Sequence, residues 1–236
     1  MFRPRCVGVR RWWPLCAFTV GLLTARGVEA QVCLGTPPFR AKSDLQFGGD
    51  LGWMHGPTLQ KGSTVGAAVA VGSPSWFGRL DVGRNEYSDY QYSAREADLS
   101  AGASLTTPGR SRITLCPEVA YRIELTNSLG PDSPVPTRAS TLEVSMHAGV
   151  SPVLGKTHVM FFGGAGMFVS KSTIYAGAPP LSDTESSTGR GGFGVLGAGV
   201  FLGSRVTATT SLRVPFAVPY GFKSIIVVIT YRLHLN

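Results

Sequence analysis

The chain has 236 residues, a formal net charge of +8 and 43% hydrophobic residues, enough for one domain. Five of the 22 Lys+Arg and one of the 14 Asp+Glu fall in the first thirty residues, so the remaining 206 carry 17 − 13 = +4. Most of the basicity is therefore local to the N-terminus, which argues against nucleic acid as a partner, since that would need Lys and Arg clustered on one face.

At the N-terminus, Arg3, Arg5, Arg10 and Arg11 precede an apolar run from Trp12 to Leu23, closed by Val28-Glu29-Ala30. Residues 1–30 read as a secretory signal cleaved after Ala30. A dozen apolar residues fall short of the roughly 20 that a spanning helix needs. Arg10-Arg11 matches a twin-arginine signal only in part, so the general secretory (Sec) route is expected. Cys6 and Cys16 leave with the signal. Cys33 and Cys116 remain, a candidate disulfide in an oxidising compartment. Residues 31–42 read as an N-terminal arm on the periplasmic side, which that bond would fold into the mouth of the domain formed by residues 43–236.

From residue 43 onward the hydrophobic period is 2, not 3.6. Ala97, Leu99, Ala101, Ala103 and Leu105 alternate with Glu96, Asp98, Ser100, Gly102 and Ser104. Leu142, Val144, Met146, Ala148 and Val150 alternate with Thr141, Glu143, Ser145, His147 and Gly149. Ile225, Val227, Ile229, Tyr231, Leu233 and Leu235 share one face of the last segment. The same signal predicts ten strands, with eight the alternative count: 44–55, 63–73, 76–87, 95–106, 112–125, 139–152, 157–171, 191–203, 205–215 and 224–235. Most exceed the 9 to 11 residues that a tilted strand needs to cross a bilayer. Pro117 falls inside the fifth, where a ladder donor is wanted.

Four connections are tight: 73–75, 107–111, 154–156 and 203–204. Between them lie the longer segments 56–62, 88–94, 126–138, 172–190 and 216–223. Short and long alternate throughout, as in a barrel with short turns on the periplasmic side, long loops outside and both termini at the short-turn end. The expected fold class is all-β, a closed antiparallel transmembrane β-barrel. The second faces carry Gly66, Ala68, Ala70, Gly72, Gly102 and Gly149, small residues suited to a narrow lumen. A soluble lipocalin-like barrel is the alternative. Trp53, Tyr87 and Tyr220 at the long-loop ends, and Trp76, Phe161 and Tyr231 at the short-turn ends, are expected to form two aromatic girdles.

With its cleavable signal, alternating segments, loop asymmetry and final strand Thr230-Tyr231-Arg232-Leu233-His234-Leu235, the chain resembles the small bacterial outer-membrane β-barrel proteins of the opacity and attachment type. The resemblance covers nearly all of 43–236. The chain departs from it at its end, Leu235-Asn236, where such proteins usually finish on an aromatic residue. It implies a porin-like integral barrel of a Gram-negative outer membrane, inserted by the barrel assembly machinery and in contact with outer-membrane lipid. The implied role is structural or surface-interacting, with an extracellular ligand met through loops 126–138 and 172–190. A narrow passive pore is the alternative.

If the apolar faces meet lipid, the lumen gathers Asp50, Arg79, Asp81, Glu96, Asp98, Glu118, Arg122, Glu124, Glu143, His147, Arg213 and Arg232. Opposite charges in a narrow, poorly hydrated lumen are expected to pair, because an isolated buried charge costs several kcal/mol. No enzyme is expected. None of the four histidines stands in a His-x-Ser arrangement, and Glu143, Ser145 and His147, though on one face, are spaced about 7 Å apart along a strand. Neither a metal site nor a cofactor is indicated: His and Cys lack ligand spacing, and the glycine clusters at 163–166 and 191–194 precede no helix.

Overall fold

The computed structural model describes residue 33 and residues 44–56, 61–88, 92–106, 113–128, 137–154, 157–176, 183–203, 205–216 and 223–234. The signal segment, the arm other than Cys33, and Leu235-Asn236 lie outside them. So do residues 57–60, 89–91, 129–136, 177–182 and 217–222 of the long connections, Tyr220 among them, and the turns at 107–111 and 155–156.

Every element among the described residues is a β-strand: β1 Asp44–His55, β2 Lys61–Ser73, β3 Trp76–Tyr87, β4 Tyr92–Ala103, β5 Leu105–Thr106, β6 Thr114–Ser128, β7 Thr137–Val150, β8 Val153–Leu154, β9 Thr157–Ala176, β10 Asp183–Leu202, β11 Val206–Phe216 and β12 Lys223–His234. The two-residue β5 and β8 prolong β4 and β7, pairing with β6 and β9 respectively. The other ten pair in sequence order, all antiparallel, and β12 returns to β1 from Asp44↔His234 to His55↔Lys223. The sheet is therefore closed, leaving no edge along the wall.

Successive strand partners trace a helical path around the wall. From Phe201 it runs through Thr207, Thr230, Gly48, Ala68, Asp81, Asp98, Arg122, Thr141 and Ser170, and re-enters β10 at Gly189, a stagger of 201 − 189 = 12 residues. Twelve residues are about 40 Å along a strand, and ten strands are about 48 Å across. The strands therefore tilt by about 40°, around a backbone cylinder of about 10 Å radius. Side chains from opposite walls nearly meet in such a cylinder.

The alternation in the sequence becomes the two faces of this wall. Phe47, Leu51, Trp53, Val65, Leu80, Val82, Leu99, Val119, Leu142, Val144, Met167, Leu196, Ile225 and Ile229 point outward and are exposed. A largely apolar outer surface, broken by few polar side chains such as Thr210, reverses the arrangement of a water-soluble protein. At the short-turn end, β2 and β3 are joined by Pro74-Ser75, with the Ser75 amide donating to Ser73 Oγ at 3.3 Å. Gly203, at φ 78°, turns β10 toward β11 in a left-handed conformation that favours glycine.

Pro117 marks an interruption without a register shift. The β4–β6 ladder runs to Gly102↔Glu118 and resumes with Leu105↔Leu115. The missing donor thus falls where the neighbouring strand breaks at Ser104, whose amide bonds instead to Ser75 O at 2.9 Å.

The segment expected as loop 172–190 is largely strand. β9 and β10 are 20 residues each and pair from Asp183↔Ala176 downward, whereas β11 joins β10 only from Gly192↔Phe216. This hairpin rises above the rest of the wall. With Ser/Thr/Gly on both faces, it has no apolar period for sequence to reveal.

Candidate functional site

Every charged residue expected in the lumen lies on the inward face. Parity carries over from strand to strand: Asp50 is opposite Gly66, Asp81 opposite Ala68 and Asp98, Asp98 opposite Arg122, Ala120 opposite Glu143, and His147 opposite Gly164. The pleat fixes this placement, because one correctly assigned position determines all others on its strand.

Three ion pairs form the centre of the site. Arg79 bonds Asp81 two residues along β3, with Nε to the two carboxylate oxygens at 2.9 and 2.8 Å. Arg122 Nη2 lies 3.0 Å from Asp98 Oδ2 on the adjacent strand. Arg213 Nη2 donates to Glu143 Oε1 at 2.7 Å. This last pair joins β11 to β7 past the intervening β9 and β10, and so cross-links the lumen. The guanidinium of Arg213 also stacks 3.7 Å above the Phe193 ring, a contact that fixes it in one position. Nearer the long-loop end, Asn85 Nδ2 donates to Glu96 Oε2 at 3.0 Å, and Glu96 faces Glu124 directly.

The remaining expected members do not join these pairs. Glu118 takes a hydrogen bond from Ser100 and lies beside Arg79. Arg232 and His147 are lower in the barrel and fully buried. Glu143 and His147 are brought near one another, but His147 bonds elsewhere: its Nε2 lies 2.7 Å from Ser145 Oγ. That corrects the expected 7 Å separation, which measures backbone spacing; the long imidazole arm bends along the strand to close it. His147 Nδ1 is buried without a hydrogen-bond partner and packs against Gly164. The Ser–His contact therefore lacks the third group that would orient an imidazole for proton transfer. Among the described residues, no three His, Cys, Asp or Glu side chains are placed to hold a metal ion.

Below the ion pairs the lumen is densely filled by buried side chains. Cys33 is bonded to Cys116 on β6, with Cα atoms 5.5 Å apart, and packs with Ala70 and Phe77 from β2 and β3. This brings residue 33 inside the short-turn mouth, between walls formed by three different strands. Around it, Asp44, Gln46, Thr114, Met160, Thr207 and His147 expose under 2% of their surface. Glycines make room for the larger side chains. A Cβ on Gly102 would stand 2.5 Å from Phe77 Cζ, and one on Gly166 would stand 2.6 Å from Phe193 Cζ.

Tyr87, expected in an outer girdle, faces the lumen and is 8% exposed. Trp53 and Trp76 do point outward, at 61% and 51% exposure, and Tyr231 is also exposed. Sequence reading missed Phe193 beneath Arg213. The signal was present in Gly191, Phe193 and Val195 on alternate positions, but adjacent glycines obscure which face they occupy.

No family model matches the chain, and no curated protein matches it. The solved structures it resembles are bacterial outer-membrane β-barrels. Among them are the translocator domain of the autotransporter NalP from Neisseria meningitidis (12% identity, 94% of each chain, TM-score 0.43) and an outer-membrane channel from Pseudomonas putida F1 (10% identity, 87% of this chain and 100% of that one, TM-score 0.43). A third is Ail, the attachment invasion locus protein of Yersinia pestis (8% identity, 83% and 100%, TM-score 0.35). The closed ten-stranded barrel rests on the strand pairing itself.

Proposed function

We propose that the chain is an integral outer-membrane barrel with a structural or surface-interacting role, and that its lumen does not conduct in the oxidised protein. The observation that carries the second part is the sealed short-turn mouth, where inward side chains from β1, β6, β7, β9 and β11 are fully buried around the Cys33–Cys116 bond. A water path would leave some of them wet. The outward apolar belt supports the first part, because exposing that many large side chains to water is unfavourable by roughly 25 cal/mol per Å². A bilayer removes this cost, and closure satisfies the backbone within it.

In this reading the ion pairs stiffen the wall, and Ser145–His147 is a structural hydrogen bond, not a catalytic one. The connection between β6 and β7 (126–138) and the extended β9–β10 hairpin (172–190) belong to the outer side in this reading and meet any ligand. Insertion depends on the barrel assembly machinery, after secretion through Sec and removal of residues 1–30. The test is cell fractionation combined with gel mobility of unboiled and boiled samples. A protein of the outer-membrane fraction whose mobility shifts on boiling is expected. A soluble protein with no shift would overturn the reading and favour a lipocalin-like binder.

A further inference from the structure

The outer surface of the barrel differs between its ends in a way that the lumen does not explain. At the long-loop end, the outward positions just above the apolar belt are His55 on β1, Lys61 on β2, Arg84 on β3, Arg95 on β4, Arg138 on β7, Lys171 on β9, Arg190 on β10 and Lys223 on β12, all exposed. Eight of the ten wall strands contribute one. The register sets several side by side: Lys223, His55 and Lys61 are direct neighbours on three strands, and Arg84 is opposite Arg95. Corrected for the strand tilt, which raises the register line by about 3 Å per strand, the eight lie in one band about 10 Å deep. Among the described residues, the only outward acid in that band is Glu86, 3.2 Å from Arg84. Among the described residues, the corresponding exposed positions at the short-turn end are Trp76, Leu105, Leu115, Leu202, Tyr231 and Leu233, with Thr157 and Arg205.

We propose that this basic ring binds the phosphate groups of lipids in the leaflet at the long-loop end, a proposal that rests on the outer-membrane reading above. Like charges placed opposite one another on a sheet repel unless an anion lies between them. The ring's shape selects the source of that anion. A soluble polyanion is gripped by bases gathered on one patch, whereas a leaflet surrounds a barrel on every side, and these bases are spread around the whole circumference. Their position at the edge of the apolar belt is the depth of lipid headgroups, where Lys and Arg reach outward while their methylene stems remain on apolar surface.

Trp53, exposed on the outer face two residues from His55, reports on the lipid beside the ring. The mature Trp76→Phe protein is folded into phosphatidylcholine vesicles containing either brominated phosphatidylglycerol or brominated phosphatidylcholine at equal mole fraction. Quenching of Trp53 is expected to give about a fivefold higher apparent affinity for the phosphatidylglycerol, the effect of roughly one base near an anionic headgroup. That preference should shrink in molar salt and vanish in Lys61→Gln/Arg84→Gln/Arg95→Gln/Lys223→Gln. Equal quenching by both lipids in a protein that shows the boiling-dependent mobility shift would overturn the ring proposal alone. A protein that fails to insert would overturn the barrel reading with it. If millimolar inorganic phosphate or dextran sulfate abolishes the preference, the ring is a site for soluble anions and the lipid assignment is wrong.

Discussion

In the short-turn half of the lumen the inward side chains include Phe77, Phe162, Met160, His147 and the Cys33–Cys116 pair, none more than 5% exposed, together with two charged ones, Asp44 and Arg232, at 0% and 2%. Nearer the long-loop end they include Arg79, Asp81, Asp98, Arg122, Glu143 and Arg213, with side-chain exposures of 10–33%. The difference follows from access to water. Most of the charge is kept where solvent still reaches, and in the three ion pairs each carboxylate has a guanidinium beside it. Where the barrel is closed off, the filling is mostly neutral and is pinned by a covalent bond, because buried pairs recover their desolvation cost only with very good geometry. The two halves therefore respond differently to mutation.

The largest effect is expected from the sealed half. Cys116→Ser removes a link between residues 83 apart in sequence and should lower stability by about 2–4 kcal/mol, read as a lower urea midpoint for the fast-migrating folded band; Cys33→Ser should match it. Next comes the cross-lumen pair. Arg213→Met leaves Glu143 without its partner and should cost about 2–3 kcal/mol, less than a fully buried pair because Arg213 is 26% exposed. Adding Glu143→Gln should restore most of that loss, and a double-mutant cycle measures the coupling.

Gly102→Ala, which drives a methyl toward Phe77 and the Pro117 carbonyl, should cost about 1–2 kcal/mol. On the outer face, Gly49→Ala meets only Gly66 O at 3.7 Å and should fall within about 0.5 kcal/mol. Smallest of all is Arg84→Gln, which breaks an exposed pair with Glu86 and should leave the urea midpoint unchanged within about 0.5 kcal/mol. An Arg84 effect as large as that of Arg213 would erase the distinction between sealed lumen and open rim.

The wall was legible in the sequence because a strand with one apolar and one polar face repeats every two residues. Leu142, Val144 and Met146 alone place Glu143, Ser145 and His147 inside. The lumen charges were legible for the same reason, but not their partners: Arg122 pairs with a neighbour in register, whereas Arg213 reaches past two strands to Glu143, a relation set by barrel closure. Tyr87 was misplaced because an aromatic near a strand end can serve either face, and only its parity with Phe77 and Asn85 decides it. The β9–β10 extension was read as loop because above the belt both faces are polar and the alternation disappears. Pro117, an anomaly in a strand taken alone, becomes intelligible once Ser104 is seen breaking opposite it.

The central claim, a membrane-spanning barrel shut at its short-turn end, is tested most directly by planar-bilayer recording of the oxidised mature protein, with its folded state verified by the mobility shift on boiling. The account predicts a silent bilayer for the wild type, and discrete conductance steps, if any, only in Cys116→Ser or after reduction by a dithiol. Steady ohmic steps from the oxidised wild-type protein would contradict the seal and establish an open conduit lined by the Arg79, Arg122 and Arg213 pairs.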